Sequence, residues 1–100
     1  MAEITDIRNF KLISGEFSGD EARHVLISLV ESKIGFHRIK NMSHKETQGT
    51  SDEFSEKRIV ELEQIKAELN ALIGQMADSG SRLSVNCDIR VQLIKENLQE

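Results

Sequence analysis

The sequence predicts an α+β domain in the order strand, helix, helix, strand: a long antiparallel helical hairpin packed on a two-stranded antiparallel sheet. Three observations lead there. Leu83, Val85, Cys87, Ile89, Val91 and Leu93 alternate without a fault against Ser84, Asn86, Asp88, Arg90 and Gln92, which is the period of a half-buried strand. From Leu62 onward, Ile65, Leu69, Leu72 and Met76 recur at spacings of three and four, one apolar stripe on an α-helix. A second helical pattern lies upstream, and a polar stretch closed by Gly49 separates the two.

In chain order, the first strand is expected over 5–14 and ends at Gly15. Phe10 and Leu12 share one side of the extended chain, while Ile7 and Ile13 share the other. Ser18 and Glu21 then have the spacing of a capping box, with Asp20 and Glu21 placed where the helix dipole favours negative charge. The first helix should run over 19–41. Its apolar residues form two overlapping rows, one of Ala22, Val25, Leu26, Leu29 and Phe36 and one of Ile27, Val30, Ile34 and His37. Together they cover more of the circumference than a single partner can bury.

Residues 42–50 read as the loop. Thr50 and Glu53 have the spacing of a second capping box, and the second helix is expected over 51–78. The short loop makes the helices antiparallel neighbours. Aligning them from the loop ends sets Val25 against Leu69, Ala22 against Leu72, Leu29 near Ile65 and Ile39 close to Phe54. Gly80 suits a left-handed helix cap, the last strand follows over 82–94, and 95–100 is expected to be a frayed end. The two strands should pair antiparallel with their apolar faces on the helices. Such a ribbon is marginal alone and leaves two long edges open, so dimerisation is expected to extend it.

Composition narrows the class. One hundred residues, 38% hydrophobic and 30% charged, suit one soluble domain with a modest core rather than a disordered chain. With no Trp, no Tyr and four Phe, that core is aliphatic. A net charge of −4 argues against nucleic acid or an anionic membrane as the main partner. No apolar run is long enough to span a bilayer, and the first residues lack the pattern of a signal peptide. One cysteine, Cys87, excludes an internal disulfide. These features predict a cytoplasmic protein.

Two groups of residues are candidates for binding. The first is the hairpin tip with His37, Arg38, Lys40, His44 and Lys45. The second is the polar side of the last strand, with Asn86, Asp88, Arg90 and Gln92. Glu46, Asp52 and Glu53 lie near the two tip histidines, but their spacing matches no metal motif, and dipole complementarity accounts for the charges. His37 continues an apolar row and reads first as a core or interface histidine. Cys87 lies on the apolar side of its strand, where a thiol behaves as a small hydrophobe. No phosphate loop, Cys-x-x-Cys, His-Glu-x-x-His or nucleophile elbow is present, and no catalytic residue, cofactor or metal is assigned.

The expected function is therefore a small non-enzymatic protein-interaction module that works as a homodimer and binds another protein by strand addition or helix packing. Two other classes fit less well. A nucleic-acid-binding regulator could use the strands as a β-ribbon, in an order superficially similar to ribbon-helix-helix repressors; the helices are too long, and Asp88 would face phosphate. A metal-assisted hydrolase could be assembled at the hairpin tip.

Overall fold

The computed structural model describes residues 2–96, and side chains over 6–95. The element order is β1 (Ala2–Phe17), α1 (Gly19–Gln48), α2 (Glu53–Asp78) and β2 (Leu83–Glu96). The two strands form a two-stranded antiparallel sheet, and the two helices form an antiparallel hairpin. The chain divides into two compact units, the hairpin unit Phe17–Leu83 and the ribbon of the paired strands. Each strand is longer than the alternation suggested. Of the tail expected to fray, Lys95 and Glu96 belong to β2 and 97–100 lie outside the described residues.

The capping box forms at the start of α1. The Ser18 hydroxyl accepts from the Glu21 amide at 3.2 Å, and the Glu21 carboxylate accepts from the Ser18 amide at 2.9 Å. Those two contacts hold the Glu21 carboxyl below its usual range. The helix does not stop at residue 41. It continues through Gln48, because nothing before Gly49 interrupts it. Gly49 takes a positive φ of 76°, and its amide closes the last turn onto the Lys45 carbonyl at 2.9 Å.

The second capping box does not form. Asp52 is the N-cap of α2, two residues after the expected Thr50, and makes no side-chain cap. Its amide is instead taken by Asn41 Oδ1 at 2.7 Å, and its carboxylate by the Ser55 hydroxyl at 2.8 Å. The end of α2 is a Schellman turn. The Gly80 amide donates to the Ala77 carbonyl and the Ser81 amide to the Met76 carbonyl, with Gly80 at φ 75°.

Within the hairpin the helices meet along Gly19, Ala22, Ile34 and His37 of α1 and Ser55, Leu62 and Ile73 of α2. His37 faces Ser55 and Asn41 reaches Asp52, within a residue or so of the register set by the loop ends. The faces differ from those expected. Ala22 is buried, but Leu72 is 46% exposed; Leu29, Ile65, Ile39 and Phe54 are exposed as well. At the base of the seam small residues let the backbones approach. A Cβ on Gly19 would lie 2.6 Å from that of Ala77, so the larger apolar residues are displaced sideways. Arg38–Glu63 at 3.1 Å and Lys66–Glu31 at 3.0 Å tie the helices along one flank. Each pair joins a base and an acid on opposite helices.

Within the ribbon, the Ser14 hydroxyl donates to Asn86 Oδ1 at 3.3 Å. Strand alternation from that pair puts Phe10 and Leu12 on the face that carries Asn86, Asp88, Arg90 and Gln92.

Candidate functional site

The tip residues named from the sequence do not converge on one point. His37 lies in the seam and is 3% exposed. Arg38, the next residue, turns about 100° around the helix and pairs with Glu63 on the charged flank. Lys40 sits over the Phe54 ring at 6.0 Å. His44 Nδ1 donates to the Thr50 carbonyl at 2.7 Å and so braces the loop. Lys45 is exposed in the last turn of α1, and its carbonyl receives the Gly49 cap.

What forms around His37 is a polar chain in which His37 and Ser55 are buried and Asp52 is half-buried. The Ser55 hydroxyl has one proton and gives it to Asp52 Oδ2 at 2.8 Å. Its oxygen therefore accepts from His37 Nδ1 at 3.2 Å, which places a proton on Nδ1 and makes the neutral ring the Nδ1–H tautomer. In that tautomer Nε2 is an unprotonated nitrogen, with no hydrogen-bond partner among the described residues. The Phe36 ring stands edge-on to the imidazole at 5.2 Å and the Phe54 ring at 6.2 Å.

Electrostatics agree with that tautomer. Burial lowers the His37 pKa below the ordinary histidine value, and Lys33, Lys40 and Arg58 lower it further, against an opposing pull from Asp52. Asp52 is held below the usual carboxylate range, first by the Ser55 hydroxyl and, against burial, by Lys40.

Asp, Ser and His in a chain suggest a nucleophile, but Ser55 has no exposed surface. No substrate carbonyl can reach its oxygen, and the proton that a base would have to remove points away from the imidazole, toward Asp52. The chain fixes helix register rather than activating a hydroxyl. Among the described residues, no group of three or more His, Cys, Asp and Glu is disposed to hold a metal ion.

Ser55 is the residue that sequence reasoning missed. The available signal was its position three residues after Asp52, on the face of α2 that also carries Leu62.

The second candidate group stays together. Asn86, Asp88, Arg90 and Gln92 share one face of the ribbon by alternation. With the Gln92 amide turned to accept, its carbonyl takes Arg90 Nε at 3.0 Å and Nη2 at 3.2 Å. Asp88 borders a shallow depression with Asn9, Phe10 and Lys11. This face is less polar than β2 alone implies, since Phe10 and Leu12 share it by alternation and are 57% and 50% exposed. Cys87, on the opposite face, is half-buried.

Comparison with known proteins adds no relative: no family model, no curated protein and no solved structure matches the chain. Among the described residues, no helix is long and apolar enough to cross a membrane.

Proposed function

We propose that the chain is a non-enzymatic interaction module that works as a homodimer and offers its ribbon to a protein partner. One observation carries this reading. Among the described residues, the buried apolar set is Ala22, Ile34, Leu62 and Ile73, whereas sixteen large apolar side chains are exposed in the two units. Exposed apolar side chains scattered singly are ordinary, but contiguous ones mark interaction surfaces.

The ribbon supplies the partner site. Each strand is hydrogen-bonded to one neighbour in a two-stranded sheet, so each presents an open edge that an extended peptide can join. The face with Asn86, Asp88, Arg90 and Gln92 places polar groups of both signs beside exposed Phe10 and Leu12, a mixture that suits recognition of a peptide side chain.

The test is the molar mass in solution, by light scattering over a hundredfold range of protein concentration. A mass of twice the chain's 11.3 kDa that persists on dilution is the expected result. A monomer at every concentration would overturn the homodimer.

A further inference from the structure

We infer that two copies associate through the flank of the hairpin bearing Val25, Leu29, Phe36, Ile65, Leu72 and Met76, as an antiparallel four-helix bundle with the tip of one copy on the base of the other. This rests on the homodimer reading and adds which surface is used and in which direction.

Helical phase places these residues together. On α1, Val25, Leu29 and Phe36 lie to one side of the seam residues Ala22, Ile34 and His37, while Glu31 and Arg38 lie to the other. On α2, Ile65, Leu72 and Met76 lie to the same side of Leu62 and Ile73, while Glu63 and Lys66 take the ion-paired flank. One flank of the hairpin is thus charged and paired, and its opposite is apolar, with Leu29, Phe36, Ile65, Leu72 and Met76 exposed and Val25 half-buried.

The size suits a second copy. Helices of this length are roughly 40 Å long, and two of them side by side, with axes about 8–10 Å apart, present a face about 20 Å wide. The footprint is on the order of 800 Å², the contribution of one partner to a stable interface.

Charge sets the direction. Lys33, Lys40 and Arg58 all lie close enough to His37 to act on it, so the tip half of this flank is basic. The base half carries Glu21 and Glu68 at its margins. A parallel dimer would bring both sets of cations together. An antiparallel two-fold lays the basic half of each copy on the acidic half of the other and brings Arg58, which bonds Glu61 of its own helix at 3.0 Å, within about one turn of Glu68 of the partner subunit. Those two residues are ten apart on α2, about 15 Å along the axis, and cannot pair within one chain.

Single cysteines on a Cys87→Ser background read both surface and direction. Ile65 lies near mid-length of the flank, where an antiparallel two-fold brings it to its own copy; Met76 lies near one end. Mild oxidation should link most of the Ile65→Cys chains into covalent dimers and leave Met76→Cys chains largely unlinked. Glu68→Arg should weaken association about fivefold, and adding Arg58→Glu should restore it, as expected for a surface ion pair. Equal linking of both cysteines would mean a parallel dimer and overturn the direction. A dimer of native mass that links neither, and ignores the charge reversals, would overturn the surface while leaving the homodimer standing. A monomer in solution would remove both.

Discussion

At the residue scale, His37 decides how the hairpin responds to pH. Its pKa is lowered in the folded chain, so the unfolded chain binds the proton more readily. Stability is then full above the ordinary histidine value of about 6.5 and is lost as pH falls through it. Chemical denaturation between about pH 8 and pH 5 should show that loss, and His37→Leu should flatten it. A slope unchanged by His37→Leu would place the sensitivity elsewhere. A second loss is expected below about pH 4, where Asp52 and Glu21, both lowered when folded, take up protons. Ser55→Ala should cost about 1–3 kcal/mol, because Asp52 and His37 would both lose their partner.

Two glycines separate crowding from conformational freedom. At Gly19 an added Cβ meets Ala77 at 2.6 Å, whereas at Gly35 it meets nothing within 4 Å. Gly19→Ala should therefore destabilise by about 1–3 kcal/mol, since the helices must separate. Gly35→Ala should stabilise by roughly 0.5–1 kcal/mol through helix propensity alone. Thermal melts of the two variants check the opposite signs. The sequence marks both as glycines within or beside helices, and only the facing element tells them apart.

At the scale of elements, most of the architecture was legible and the helix ends were uneven. The α1 capping box was readable because Ser18 and Glu21 are both present and nothing competes with them. Ser18→Ala should cost about 1 kcal/mol, measured as a drop in unfolding free energy. The C-terminal end of α1 was not readable from polarity. Residues 43–48 are polar, yet Lys45, Glu46 and Gln48 are good helix formers, and none of the six is a helix breaker. Polarity indicates which face is wet, not where a helix stops. The start of α2 misled for a related reason: Thr50 and Glu53 have the spacing of a capping box, but Asn41 on the other helix takes the Asp52 amide. A tertiary contact replaced a local motif. The strand β2 was plain because its alternation leaves one assignment. The mixed face it shares with β1 needed the register given by Ser14 and Asn86.

At the scale of the molecule, the width of the apolar surface was legible and its division between partners was not. Two overlapping rows on α1 signalled more than one partner. Which row enters the seam depends on where small residues meet a partner across it, Gly19 against Ala77 and Ser55 against His37, a property of the pair of helices rather than of either stripe. Leu72, Met76 and Phe36 then remain outside, on the flank proposed to meet a second copy. Replacing one of them with a charge should separate the copies: Leu72→Asp is expected to halve the molar mass at micromolar concentration, whereas Val60→Asp, 70% exposed and away from that flank by helical phase, should leave it unchanged.

The central claim is that a second copy completes the fold, and the concentration dependence of thermal unfolding tests it most directly. When folding and association are one equilibrium, mass action raises the melting temperature with protein concentration. The expected result is a steady rise in Tm over a hundredfold increase in concentration. A Tm independent of concentration, with a monomeric mass throughout, would contradict the account.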